Sequence, residues 1–213
     1  SGKDEVSLSL PNASVRANYL VLAGNAYLGS LGKKLSQRLM PVGTYMIATE
    51  PLGSTRARQL LPENSAVADI NFVLDYFRLS ADQRLLFGGG VSYSTIPPVN
   101  VRSYLRKRML KVFPSLVDVE LEYGWGGLVG ITMNRMPNFG RLAPNVFLAH
   151  GFSGHGVALT GLAGKLMAEV ISGTAERFDV MSQIPHLPFP GGPLFRMPAL
   201  LLGTTWYRLR DLL

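Results

Sequence analysis

The spacing of apolar residues divides the chain into short strands and two longer helices. Val146-Phe-Leu-Ala149 is a continuous apolar run of the length a buried strand needs. It leads into Gly151-Phe-Ser-Gly-His-Gly156, a glycine-rich turn. From there Val157, Leu159, Leu162, Leu166, Met167 and Val170 recur at roughly helical spacing. This strand–turn–helix unit is the most informative part of the sequence. A helix that opens in bare glycines points free N–H groups and the positive end of its dipole outward, which suits an anion or an electron-rich ring.

The same reading places a buried strand at Tyr19–Ala23, ending in a Gly24-Asn25 turn. Leu28–Met40 reads as a short helix or irregular segment, and Val42–Thr49 as a strand closed by Pro51. Phe72–Leu79 and Arg84–Gly88 form a hairpin through Ser80-Ala-Asp-Gln83, with Gly88-Gly-Gly90 as a flexible exit. Asn100 caps a helix that runs to about Val112 and stops before Pro114. Glu120–Thr132 is a strand interrupted by Gly124, Gly126, Gly127 and Gly130. After Gly173 the chain reads as loop, finishing in an aromatic and basic tail, Trp206-Tyr-Arg-Leu-Arg210. Strands, a hairpin and long helices together predict an α+β fold.

Composition narrows the chemistry. Of 213 residues, 47% are hydrophobic and only 16% charged, so the chain buries a core rather than remaining disordered. No apolar run approaches the roughly 18 residues of a membrane span, and Ser1-Gly-Lys-Asp-Glu5 is too polar for a secretion signal. The absence of cysteine excludes disulfides, thiolate metal sites, cysteine nucleophiles and a cysteinyl cofactor link, and it fits a cytoplasmic location. His150, His155 and His186 have no carboxylate at ligand spacing, so no metal site is expected.

The net charge of +7 raises the question of nucleic acid. Much of the excess is Arg102, Arg106, Lys107, Arg108 and Lys111, on the helix whose apolar stripe is Val101, Leu105, Met109 and Val112. A solvated helix face explains them, and no aromatic platform accompanies them, so neither nucleic acid nor membrane is expected as a partner.

Two nucleotide motifs are missing. Gly151-Phe-Ser-Gly-His-Gly156 and Gly24-Asn-Ala-Tyr-Leu-Gly29 do not have the G-x-G-x-x-G order, and Gly161-Leu-Ala-Gly-Lys165 is not a phosphate loop. Two other classes stay open. Ser153, Asp179 and His186 follow the chain order of an α/β-hydrolase triad, although His155 breaks the G-x-S-x-G elbow. The basic helix could also serve a non-catalytic binding module.

A series of short motifs resembles the second half of FAD-dependent amine oxidases of the D-amino-acid oxidase and glycine oxidase superfamily. They are Val21-Leu-Ala-Gly-Asn-Ala-Tyr27, Met40-Pro-Val-Gly-Thr-Tyr45, Ala48-Thr-Glu-Pro-Leu52 and Asp75-Tyr-Phe-Arg78. Further on come Arg84-Leu-Leu-Phe-Gly-Gly89, Trp125-Gly-Gly127, Thr132-Met-Asn-Arg-Met-Pro137, Phe139-Gly-Arg141 and Gly151-Phe-Ser-Gly-His-Gly156. The resemblance runs through nearly the whole chain and is carried by order and spacing.

The resemblance implies the C-terminal part of a split FAD-binding α/β domain, joined to a substrate domain with a mixed or antiparallel sheet and flanking helices. Residues 1–40 would end the first FAD-domain segment, 41–124 form the substrate domain, 125–180 return to the flavin, and 181–213 be a tail. FAD would be held non-covalently, by Gly24, Asn25, Gly127, Leu128, Gly151, Phe152, Ser153, Gly154, His155, Gly156 and Val157. Tyr76, Trp125 and His155 would face a small-molecule amine substrate, and no catalytic acid or base is identified. His150 is the less favoured of the two neighbouring histidines. A missing N-terminal half would supply the remaining grip on FAD, leaving this fragment inactive alone. Relatives that oxidise amino acids carry a carboxylate-binding arginine where this chain has Val129, and Arg135 is the nearest alternative. The implied substrate is therefore an amine or polyamine derivative rather than an α-amino acid.

Overall fold

A computed structural model describes residues 5–29, 33–71, 73–92 and 100–190, with isolated positions beyond. Phe72 and most of the 206–210 tail lie outside the described residues. The chain divides into two compact units, one formed by 1–41 with 129–196 and the other by 42–128 with 197–213.

In the first unit, β1 (Val6–Leu10) and β2 (Ala13–Ala17) form an antiparallel hairpin. A three-stranded sheet has the order β3 (Leu20–Leu22), β10 (Val146–His150), β9 (Asn138–Ala143). β10 lies parallel to β3 and antiparallel to β9. The chain leaves β3 through a turn of 3-10 helix, Asn25–Tyr27, and then forms the short helix α1 (Lys33–Ser36). It leaves β10 through the glycine turn into α4 (Gly156–Ile171), followed by α5 (Glu176–Ser182). One face of the sheet packs on these helices. Phe139, Phe147 and Ala149 meet Ala163, Leu166, Met167, Val170 and Phe178 in one buried cluster. Phe178 makes edge contacts with both Phe139 and Phe147. The α5 helix, expected to be loop, exists because that ring anchors a segment too short to be helical alone.

In the second unit, a five-stranded sheet has the order β5 (Val67–Ala68), β6 (Asp75–Leu79), β7 (Leu85–Ser92), β4 (Met40–Thr49), β8 (Leu121–Ile131). The last residues of β8 pass into the first unit. β6 and β7 form the expected hairpin, with Leu79 opposite Leu85. Helices α2 (Gly53–Leu60) and α3 (Val101–Val112) contribute to a core of Ile47, Leu79, Leu85, Phe87, Leu105 and Met109. Asn100 caps α3 by accepting a hydrogen bond from the Ser103 amide at 2.9 Å. Val112, expected on the apolar stripe, is exposed.

Three expectations need correction. Gly88-Gly-Gly90 is not a flexible exit but the middle of β7. Side chains lie across it: a Cβ at Gly88 would strike the Tyr76 ring, one at Gly89 the Asp75 carboxylate, and one at Gly90 the Tyr104 ring. The glycines of β8 do not interrupt it either, since Leu121–Ile131 is one continuous strand. Gly126 makes room for the Tyr45 ring and Gly124 for the stem of Arg102. Lastly, the arginines of α3 are not merely solvated. Arg102 donates to the Glu122 carbonyl at 2.8 Å, and Arg106 donates to the carbonyls of Val119 (2.8 Å) and Val117 (2.7 Å). Arg108 pairs with Asp75 at 2.7 Å. Three of the five cations therefore bind neighbouring segments together. Among the described residues no helix is long and apolar enough to cross a membrane.

Candidate functional site

The candidate site lies in the first unit, where the parallel strands β3 and β10 end side by side. Carboxyl ends of adjacent parallel strands are where open α/β sheets bind ligands. The turn after β10 has an unusual backbone: φ is +71° at Gly151, +52° at Ser153 and +94° at Gly154, and Asn25 across from it has φ +46°. Left-handed φ at non-glycine residues costs energy and persists only where neighbours fix it.

The neighbours that fix it are specific. The Gly151 amide donates to Asn25 Oδ1 at 2.9 Å, which ties the exit of β10 to the exit of β3. The Ser153 amide donates to the Gly130 carbonyl at 3.0 Å. Ser153 Oγ accepts from the Thr132 amide at 3.2 Å and donates to the Gly151 carbonyl at 3.2 Å. Thr132, itself buried, anchors its own hydroxyl on the Met136 carbonyl at 2.8 Å. The turn closes with the His155 amide on the Phe152 carbonyl at 2.9 Å. The N-cap residue of α4, His155, makes no side-chain bond to the first amides, and Gly154, His155 and Val157 are exposed. The opening of α4 is thus preshaped and open.

Beside this turn is a cavity of about 280 Å³ lined by Asn25, Leu28, Leu35, Ser36, Leu39 and His150, among others. His150, the last residue of β10, is only 1% exposed. Its Nε2 lies 3.0 Å from Asn138 Nδ2, while Nδ1 has no partner. Burial, with the nearby charges of His186 and Arg38, pushes His150 down to about 4. The ring is therefore neutral at physiological pH. If Asn138 donates to Nε2, the ring proton sits on Nδ1.

The residues expected to form the site separate into two groups. Gly24, Asn25, Gly151, Phe152, Ser153, Gly154, His155, Gly156 and Val157 are all in the first unit, around the two strand ends. Tyr76, Trp125, Gly127 and Leu128 are in the second. Tyr76 lies opposite Gly88 with its hydroxyl 2.8 Å from Thr44 Oγ1, and Trp125 is 46% exposed on β8. Of the two histidines, the buried one that lines the cavity is His150, not the favoured His155. The hydrolase triad does not assemble. Ser153 Oγ is engaged with Thr132 and Gly151, and Asp179 pairs with Arg141 at 3.3 Å, so among the described residues neither is bonded to His186. Among the described residues no cluster of His, Asp and Glu could hold a metal ion. Thr132 falls in one of the motifs that carry the resemblance, but nothing in its spacing marks it as a support of the glycine turn.

Known proteins resemble this chain in sequence and in fold. The family described as FAD dependent oxidoreductase (DAO) matches residues 2–170. Gamma-glutamylputrescine oxidoreductase of Escherichia coli is 48% identical over 92% of this chain and 46% of its own length. A probable oxidoreductase, OrdL, of Haemophilus influenzae is 39% identical over 97% of this chain and 48% of its own. Glycine oxidase from Bacillus cereus superposes with a TM-score of 0.68 at 18% identity, covering 85% of this chain and 49% of that one. The chain spans about half the length of the relatives it matches.

Proposed function

The chain belongs to the DAO family of FAD-dependent oxidoreductases, and on that premise we propose that it is the C-terminal half of an amine oxidase, with the opening of α4 directed at the pyrimidine end of the flavin. The observation that carries this reading is the helix start without a side-chain cap, held in shape by the chain's own bonds to Asn25, Ser153 and Thr132. Bound FAD would supply the two-electron acceptor for oxidising a carbon–nitrogen bond. The chain's part is electrostatic: free amides and the positive end of a helix favour negative charge placed against them. Gly24, Asn25 and the turn from Gly151 to Val157 would hold the coenzyme non-covalently. Gly127 and Leu128 would contribute from β8, and Tyr76, Trp125 and His155 would face the substrate. The orphan nitrogen of His150 and the open helix start both fit a bound polar ring system.

The substrate we propose is an amine or polyamine derivative such as gamma-glutamylputrescine, which would lose two electrons to the coenzyme to become an imine; water would hydrolyse the imine to an aldehyde and ammonia, and dioxygen would take up the two electrons as hydrogen peroxide. Val129 supports an amine over an α-amino acid, because an apolar side chain cannot pair with a carboxylate. Arg135 is exposed and departs from the strand in a left-handed turn, φ +60°. The other half of the longer protein would complete the grip on FAD, so this half alone should turn over no substrate. A cytoplasmic location suits a cysteine-free chain.

Expressed with the remainder of the longer protein, the chain should give a yellow product that releases FAD on denaturation. It should form peroxide from gamma-glutamylputrescine at least tenfold faster, by kcat/KM, than from glycine or D-alanine. A colourless product would remove the coenzyme reading. Preference for the amino acids would remove the substrate reading.

A further inference from the structure

The five-stranded sheet of the second unit has two unlike faces. Tyr45, Ile47, Leu85 and Phe87 belong to the core to which α2 and α3 contribute. Successive side chains of a strand point to opposite faces, so Thr44, Met46 and Gly88 lie on the other one. Met46, Gly88 and Tyr76 stand in register across β4, β7 and β6, which puts Tyr76 on that face too. On β8, a Cβ at Gly126 would meet the Tyr45 ring. By the same alternation its neighbour Trp125 shares the face of Thr44, and β4 lies between β7 and β8.

Strand side chains ordinarily stand roughly perpendicular to the sheet. Tyr76 does not. A Cβ at Gly88 would strike Cε2 and Cζ of its ring, so the ring lies across the glycine. That posture carries the phenol oxygen past β7 to β4, where it meets Thr44 Oγ1 at 2.8 Å. Threonine is β-branched and stiff at χ1, so its hydroxyl is a fixed point to which a ring can be tied. The mutual bond uses one of the two O–H groups.

We propose that Thr44 is a positioning residue for substrate binding: its hydroxyl holds the Tyr76 phenol down across Gly88, so that the phenol oxygen is presented at one place on the face it shares with Trp125. The inference rests on the reading in which Tyr76 and Trp125 face the substrate. An untethered ring would turn about its side-chain torsions, and a substrate that had to immobilise it would bind more weakly. Thr44 makes that ordering part of folding. The tether acts on binding, so its loss raises KM and leaves kcat in place.

Thr44→Val keeps the shape and removes the hydroxyl, Thr44→Ser keeps the hydroxyl, and Tyr76→Phe removes the other partner. In the longer protein loaded with FAD, oxidation of gamma-glutamylputrescine is followed by peroxide release. T44V and Y76F should each raise KM at least fivefold with kcat within twofold of wild type, and T44S should raise it less than fivefold. In the Y76F background T44V should change KM less than twofold, because Thr44 acts through the phenol. A threonine that served only the packing of β4 would lose as much in either background. A KM rise below fivefold in T44V beside a larger one in Y76F overturns the positioning role and leaves Tyr76 at the substrate. So does a T44S as impaired as T44V, a further loss of twofold or more in the double variant, or a fall in kcat beyond twofold in T44V. A rise below fivefold in Y76F removes Tyr76 from the substrate and the inference with it. No turnover by wild type overturns the substrate reading itself. Should T44V not take up FAD, Thr44→Ala is read by the same thresholds; if neither takes it up, Thr44 is a structural residue and the positioning role is overturned.

Discussion

Gly151→Ala should cost the protein about 3 kcal/mol of stability, far more than the same change three residues later. Two costs combine at Gly151. Its φ of +71° is unfavourable for any residue with a Cβ, by roughly 1–2 kcal/mol. The new methyl would also lie 2.5 Å from Thr132 Cγ2, on a side chain that is 1% exposed and bonded at its hydroxyl. Forcing an extra carbon into such packing costs about 1–3 kcal/mol. Gly154 has an equally left-handed φ of +94° but nothing within 4 Å of a Cβ. Gly154→Ala should therefore show the backbone cost alone, about 1–2 kcal/mol. Urea unfolding of the two variants measures the difference. Equal midpoints would mean that Thr132 does not brace the turn.

The second large effect is acid destabilisation through His150. Unfolded, the imidazole takes up a proton near its ordinary value of about 6.5. Folded, it resists until about 4, first because it is buried and then because His186 and Arg38 lie near. Below pH 6.5 the unfolded state therefore binds more protons than the folded one, and stability falls as pH falls. The loss accumulates between pH 6.5 and about 4 and then levels off, reaching about 3 kcal/mol in all at 1.36 kcal/mol per unit. His186 is also lowered by burial, and its contribution has the same sign. The carboxylate of Asp118, lowered to about 2 by Arg56, acts only in more acid solution. In His150→Gln the slope of stability against pH between 6.5 and 4 should drop by nearly one proton. Parallel curves for the two proteins would show that His150 is not held neutral.

Much of the fold was legible because local patterns and tertiary packing agree. The apolar run at Val146, the capping Asn100 and the spacing from Gly156 each specify their element without help from distant residues. What sequence reading missed depends on contacts far apart in the chain. Gly88-Gly-Gly90 reads as a loop until Tyr76 and Tyr104 are known to lie across it. The arginines of α3 read as solvated until the carbonyls of Val117, Val119 and Glu122 are placed beneath them. The site followed the same rule. The glycine turn announced itself, but its supports at Asn25, Gly130 and Thr132 lie more than twenty residues away from it or on another strand. His150 was set below His155 because exposure cannot be read from a position in a turn. The family resemblance supplied the coenzyme, which composition and periodicity alone would not have named.

The hydrogen bonds that shape residues 151–156 are made by the chain itself, from Asn25, Gly130, Thr132 and the turn's own residues. Such a receptor has little to rearrange on encounter, so most of the ordering entropy is spent when the chain folds. Coenzyme capture at this turn should then be a single kinetic step, with an observed rate that rises linearly with flavin concentration and shows no plateau.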